Sequence, residues 1–245
     1  MVDKKDKSFV MINDLLERVV SELKDKLGSK LRAVILYGSW AKGKAREESD
    51  VDILVVLNSI ESRISGLLYE LERECAEKKN LTIVPAMLDD FLREKNPLFT
   101  AVKREGKVLW GNVDLTVSDE APAIKYADYF KKSRVFEAEK VEIAESILKE
   151  RPDYGSAELC FIAAKHAIQM ALAMKGVGYS SKMVVLLPLA EEHFGKAIAM
   201  KFKKLFKLYI KSEYGMEFLT VEEAKQAVEI AKEILKACYD ESEGV

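Results

Sequence analysis

The stretch ILYGSWAKGKAREESDVDILVVL, residues 35–57, decides how this chain is read. It places a Gly-Ser and two aspartates, one residue apart, between the apolar runs LRAVILYG (31–38) and VDILVVL (51–57). Both runs are short, nearly continuous and rich in Val, Ile and Leu, the composition of buried strands. In a strand, residues i and i+2 point to the same face. An extended 50–57 therefore projects Asp50 and Asp52 together at the strand's start and turns Val51 and Ile53 inward. Two neighbouring carboxylates repel unless a cation sits between them, and the hard, oxygen-liking ion Mg2+ suits them. Gly38 allows close backbone approach, and the N–H groups after it, with the Ser39 hydroxyl, can cradle phosphate. Phosphate beside paired carboxylates points to metal-assisted transfer to or from a nucleotide. A Gly-Ser turn or an Asp-x-Asp strand opening is commonplace alone; the two in this order carry the reading.

Working outward, residues 8–27 have helical spacing, with Leu15, Leu16, Val19, Leu23 and Leu27 on one face and Gly28 as the stop. A charged helix follows over roughly 60–79, and LTIVPAML (81–88) is a third strand whose Pro85 marks an edge, a bulge or an early end. NPLFTAVKREGKVLWG (96–111) is a short helix and then a strand closing at Gly111. Beyond NVDLTVSDEAP the strand signals vanish. Helical spacing occupies 122–150, 154–175, about 181–211 with a break near Gly195, and 220–240. The breaks are marked by RPDYG, KGVGYSS and EYGMEFLT. Thr220 with Glu223 three residues on forms a capping box. The fold class expected is α+β: an α/β domain with a small mixed sheet over 1–115, then an all-α helical bundle over 116–245.

The 245 residues suffice for two ordinary domains, and 49% apolar residues suffice for their cores. With 39 basic against 41 acidic residues the chain lacks the bulk positive charge of a nucleic-acid coat. Three cysteines without a close pair argue against a disulfide framework and for a reduced, cytoplasmic setting; two histidines exclude a multi-histidine metal centre. No run approaches the length of a membrane span, so no membrane partner is expected.

The segment YGSWAKGKAREESDVDILVVL resembles the minimal nucleotidyltransferases of the DNA polymerase beta-like superfamily, whose pattern is G-S-x-A-R-G-x-A…S-D-I-D-L. Gly38, Ser39, Ala41, Gly43, Ala45, Ser49, Asp50 and Asp52 match, and Lys42 replaces an arginine. The resemblance implies a nucleotidyltransferase that moves a nucleoside monophosphate from an NTP, ATP first among them, to an acceptor hydroxyl on a small molecule or a protein. It implies Asp50 and Asp52 as catalytic metal ligands for Mg2+ and Gly38 and Ser39 as phosphate holders, with Lys42 and Ser49 beside the phosphates. The departure is a third carboxylate: in Leu81-Thr82-Ile83-Val84, Thr82 stands where the family has an acidic residue. Threonine is no general base at neutral pH. Asp89 and Asp90 lie at the strand's far end, where capping the next helix suits them better. The kanamycin nucleotidyltransferases, similar in length and helical second domain, take their base from that domain. The corresponding helix here holds Glu137, Glu139, Glu142 and Glu145. A regulatory nucleotide-binding protein without turnover is the competing reading.

The second half resembles the HEPN domain in YADYFKKSRVFEAEKVEIAESIL, ALAMKGVGYSSKMVVLL and SEYGMEFLTVEEAKQAVEIAKEIL. Where HEPN ribonucleases carry Arg, His and Tyr, this chain has Lys207, Ser212 and Tyr214, so ribonuclease activity is not expected. His166 reads as a packed or half-exposed structural histidine and His193 as a helix-end residue. Lys201, Lys203, Lys204, Lys207 and Lys211 form the outer face of a core-facing helix carrying Phe202, Leu205, Phe206 and Tyr209. RNA binding through those lysines is a third, unfavoured option. The HEPN resemblance also implies a homodimer.

Overall fold

A computed structural model describes residues 4–75, 79–151, 156–178, 180–215 and 218–240, with the backbone alone for 4–11, 62, 149 and 150. The chain divides into two units, Met1–Asp119 and Glu120–Val245. Strands occur in the first unit and the second is helical, which bears out the α+β class.

In the first unit, α1 (Lys4–Leu27) leads through a 3-10 turn (Gly28–Lys30) into β1 (Leu31–Tyr37), α2 (Gly38–Ala41) and β2 (Val51–Leu57). Then come α3 (Ser62–Cys75), β3 (Leu81–Met87), α4 (Leu88–Leu92), α5 (Pro97–Glu105) and β4 (Lys107–Gly111). The sheet order is β3-β2-β1-β4, with β2 and β3 parallel and the other pairs antiparallel. Alternation along the central strands explains why they read as unbroken apolar runs, since both faces are covered. Val34, Leu36, Val51, Ile53 and Val55 pack with Leu15, Val19 and Leu23 of α1 and Ile64, Leu68 and Leu71 of α3. Ala33, Ile35, Leu54 and Val56 pack instead with Phe91 of α4 and Phe99 and Val102 of α5.

Pro85 does mark an edge: β3 is the outer strand beside β2. Its side away from the sheet is closed, because Pro85 has no N–H and the Ile83 N–H donates to Glu72 Oε1 at 2.6 Å. The strand stops at Met87, and Asp89 and Asp90 lie inside the first turn of α4 rather than at its N-cap, which is Met87 with no side-chain cap bond. Their carboxylates instead bond Lys95 Nζ at 3.3 and 2.6 Å.

One buried cluster has no signal in the sequence pattern. Glu94 is fully buried and left-handed, with φ 51°. Its Oε1 accepts from Lys103 Nζ at 3.3 Å and from the Ser118 N–H at 2.6 Å, and its Oε2 accepts from Thr100 Oγ1 at 2.8 Å. Lys103 Nζ also donates to the Leu92 and Thr116 carbonyls, each at 2.9 Å. This buried pair, saturated with hydrogen bonds, fastens residues 116–118 to α4 and α5; such saturation is what lets charges stay buried.

The second unit contains α6 (Pro122–Lys125), α7 (Ala127–Glu150), α8 (Ser156–Met174), α9 (Met183–Tyr214) and α10 (Val221–Asp240). The RPDYG break falls at residues 152–155, outside the described residues, as do Tyr179 of KGVGYSS and residues 216–217 of EYGMEFLT. α8 is the alanine-rich centre, packed against α7, α9 and α10. It corrects the expectation about membrane length: Ser156–Met174 is long and apolar enough to span one, but 67% of the window is buried in the bundle. The break expected near Gly195 is present, with that residue at φ 82° and ψ 162° between two helical stretches. The capping box forms as expected. Glu223 N–H donates to Thr220 Oγ1 at 3.2 Å and Thr220 N–H to Glu223 Oε2 at 2.8 Å, with Lys211 Nζ at 2.9 Å from Oε1. The Thr220 amide bond, first, and Lys211 hold the Glu223 carboxyl down to about 2.

Candidate active site

Tyr37 ends β1 directly opposite Asp52 in β2, and this antiparallel register brings the Gly-Ser and Asp-x-Asp together. Gly38 follows at φ +72°, left-handed backbone that an L side chain rarely adopts. A Cβ there would overlap Asp52 Oδ2 outright and lie 3.1 Å from its Cγ. The glycine is therefore required twice, by the turn and by the carboxylate lying against it. In the short turn that follows, the Lys42, Gly43 and Lys44 N–H groups donate back to Gly38, Trp40 and Ser39 carbonyls at 3.3, 3.2 and 3.0 Å. The N–H groups of Ser39 and Trp40, in the first turn of α2, have no acceptor within that turn. They stand with the Ser39 hydroxyl at the end of β1.

Asp50 is exposed and Asp52 half-buried, while Val51 and Ile53 are fully buried, the alternation expected. Burial, and then the charge of Asp50, raise the Asp52 carboxyl above its usual range. Burial and then Asp52 likewise raise the Tyr37 phenol. Two carboxylates that push each other toward protonation make a site that favours an added cation. Mg2+ is held through one or two carboxylates plus substrate phosphates, keeping several waters. Asp50 and Asp52 fit that donor set, and no additional protein ligand is needed for binding itself.

Thr82 lies directly beside Asp52 across the parallel β2–β3 pair, and is exposed. Among the described residues no group of three or more His, Cys, Asp or Glu gathers as a metal cluster. Thr82, Asp50, Tyr69, Glu72, Arg73 and Asn80 line an open cavity of about 470 Å3. Glu72, which the sequence gave no reason to single out, is held by the Ile83 amide.

The two secondary candidates sit close by but are engaged. Lys42 Nζ pairs with Glu105. Ser49 Oγ accepts from the Arg46 N–H at 2.9 Å, and the Ser49 carbonyl accepts from Trp40 Nε1 at 3.1 Å. Trp40 thus bolts the Gly-Ser turn to the residue before Asp50, with Lys79 Nζ 5.8 Å over its ring. An indole inside a Gly-Ser-Trp turn was the signal that could have revealed this.

In the helical unit, Glu137 is buried, with Oε2 2.9 Å from Lys140 Nζ and Oε1 3.2 Å from His166 Nδ1. His166 is half-exposed, as expected. Glu145 pairs with Lys232 at 2.7 Å, whereas Glu139 and Glu142 are exposed. His193 directly precedes the break at 194–195, and its carbonyl accepts from Lys175 Nζ at 3.4 Å. Of the lysine face, Lys201 pairs with Glu233 and Lys211 with Glu223, and Lys203, Lys204 and Lys207 are exposed. Phe202 and Leu205 are fully buried, so that helix does face the core. Phe206 and Tyr209 pack beside them, Phe161 lying 5.3 and 4.6 Å from their rings.

Comparison with known proteins agrees with this geometry. The nucleotidyltransferase domain family matches residues 16–154, and the HEPN domain family matches residues 138–242. A Methanocaldococcus jannaschii protein provisionally named a protein adenylyltransferase is 30% identical over 106 residues, 41% of this chain and 72% of that protein. A second, likewise named, from the same organism is 44% identical over 41 residues, 17% of this chain and 41% of that protein. Among solved structures, the spectinomycin adenyltransferase AAD(9) from Enterococcus faecialis is 14% identical with a TM-score of 0.49, covering 91% of this chain and 98% of that one. The family match takes in the Gly38–Asp52 return and every strand of the sheet around it, and the chain belongs to the nucleotidyltransferase domain family.

Proposed function

We propose that this protein transfers AMP from ATP to a side-chain hydroxyl of a protein, using Mg2+ held by Asp50 and Asp52. The observation that carries the reading is the Asp52 carboxylate, seated against Gly38 and raised by burial and Asp50. A fold gains nothing in stability from such a pair; a bound cation and the triphosphate it accompanies give it a purpose. The Ser39 hydroxyl and first-turn N–H groups supply donors for phosphate oxygens, and Gly38 gives them access. Lys42 reaches a phosphate by exchanging its Glu105 partner, while Ser49 shapes the turn from within. Mg2+, when bound, offsets the charge of the phosphates and orients them. In the transfer, a bond forms between the acceptor oxygen and the α-phosphorus, the bond to the bridging oxygen breaks, and pyrophosphate leaves. The acceptor's proton passes to a base or to water.

The protein acceptor is supported by the names of the two archaeal relatives. A small hydroxylated molecule is the alternative acceptor. The regulatory reading is favoured by one observation, Thr82 beside Asp52 in place of a carboxylate.

The deciding experiment incubates the protein with Mg2+ and ATP labelled at the α-phosphate, alone and with a cell extract as acceptor. Calorimetry of ATP binding runs in parallel. Label on protein that disappears in Asp50→Asn/Asp52→Asn supports transfer. Mg2+-dependent binding without label under every acceptor condition replaces transfer with regulation. Absence of Mg2+-dependent ATP binding overturns the nucleotide reading itself.

A further inference from the structure

The long helix α7 is apolar on two faces, and the bundle accounts for one. Phe130, Val141 and Ala144 point into the core and are buried. Tyr129, Phe136 and Ile143 recur every seven residues on the outer side and are 37%, 57% and 53% exposed; Val135 beside them is 55% exposed. A solvent-facing helix surface is ordinarily polar, and an apolar stripe at seven-residue spacing is the seam of a helix–helix contact. The stripe is also concave. A hollow of about 470 Å3 runs past Tyr129, Lys132, Phe136, Glu139 and Ile143. A second, of about 440 Å3, shares Glu139 and Ile143 and continues to Ile147. Eighteen residues of helix make this groove about 27 Å long.

The charges flanking the stripe are divided. Lys131 and Lys132 precede Phe136, Glu139 and Glu142 follow it, and all four are exposed. A parallel copy of this helix would set like charges against like. An antiparallel copy, related by a twofold axis near Phe136, sets each basic half against the other's acidic half and Tyr129 against Ile143. We propose that this face of α7 docks a second copy of the same chain, antiparallel, in an isologous pair. A seam of this length and the width of one helix buries less than the interfaces of permanent dimers, so the pair dissociates on dilution.

Sedimentation of the full chain across a wide concentration range tests this. The wild type is expected to move from 27.7 kDa toward twice that mass as concentration rises. Phe136→Glu should weaken pairing at least about tenfold. Lys131→Glu/Lys132→Glu makes both halves acidic, and Glu139→Lys/Glu142→Lys makes both basic, so each variant alone is expected to be monomeric. Mixed, the two should pair with each other, and all four changes in one chain should restore self-pairing. Far-ultraviolet circular dichroism confirms that each variant is folded, and the surface charge variants decide the matter if Phe136→Glu is not. A wild type that stays monomeric, a dimer indifferent to the charge changes, or charge variants that fail to pair when mixed would each overturn the proposal.

Discussion

Gly38→Ala and Gly43→Ala make a matched pair that isolates the contact with Asp52. Both glycines are left-handed, at φ +72° and +67°, so alanine costs each about 1–2 kcal/mol in backbone energy. They differ in surroundings. Nothing lies within 4 Å of a Cβ at residue 43, whereas a Cβ at residue 38 overlaps Asp52 Oδ2 and comes 3.4 Å from Asp52 Cβ. The overlapping atom is the end of a side chain, so the cheap relaxation swings the carboxylate away instead of distorting β2. Loss of stability should therefore be similar in the two variants. Both tryptophans of the chain, Trp40 and Trp110, lie in the first unit, so fluorescence during urea unfolding reads that unit alone. Binding should separate them. Displacing a ligating carboxylate by about 1 Å is worth on the order of a hundredfold. We expect Gly38→Ala to lose Mg2+-dependent ATP binding by about that factor in calorimetry while Gly43→Ala keeps it. Equal ATP affinity in the two variants, at equal stability, would refute the coupling between Gly38 and Asp52 and with it the proposed metal role of Asp52.

Three further outcomes follow from named contacts. Because the Asp52 carboxyl is raised on folding, its favourable contribution is present below about 3.8 and lost as pH rises through the folded value, so charged Asp52 is a net cost at neutral pH. Metal-free Asp52→Asn should need more urea to unfold than wild type at pH 7, with the gap closing in acid; a less stable variant at pH 7 contradicts the assignment. Lys103→Ala strands the buried Glu94 carboxylate without its cation and should cost about 3–5 kcal/mol by tryptophan-monitored unfolding, a loss below about 1 kcal/mol telling against a buried ion pair. Thr82→Asp restores a carboxylate beside Asp52 and should lower metal-free stability while raising the rate of label transfer on the order of a hundredfold if a base is missing there. An unchanged rate places the limiting proton acceptor elsewhere.

The sheet was legible because β1 and β2 are buried on both faces, so that apolar continuity rather than alternation marks them. The helical half was legible from spacing and from local chemistry: the Thr220–Glu223 box and the left-handed Gly195 need no tertiary information. What escaped was long-range and polar. Glu94 and Lys103 read as solvated charges, since nothing in their spacing reveals that each is the other's buried partner, or that residues 116–118 return to complete the cluster. Glu72 reads as one more charge on a charged helix until β3 is placed beside it. Asp89 and Asp90 were assigned to a cap because Met87, with no polar side chain, is an unlooked-for N-cap. α7 was read for its inward face alone; its second apolar face has meaning only when the core has been counted.

The candidate site shows why its motif has two halves at a fixed remove. Tyr37 and Asp52 are opposite one another in the antiparallel β1–β2 pair, so the residues between them form the whole return from one strand end to the next. The turn must reverse at once to keep Ser39 near the end of β1, which demands the left-handed residue at 38. The carboxylate then arriving at 52 fills the space where that residue's Cβ would be, so the reversal and the carboxylate require the same glycine. Between them the chain is held by Trp40 to the Ser49 carbonyl and by Ser49 Oγ to the Arg46 amide, contacts a different loop could replace. The Gly38–Asp52 contact could not be replaced by any residue with a Cβ. On this geometry the Gly-Ser and the Asp-x-Asp are one structural element met twice along the chain, and the register of β1 against β2 carries the chemistry.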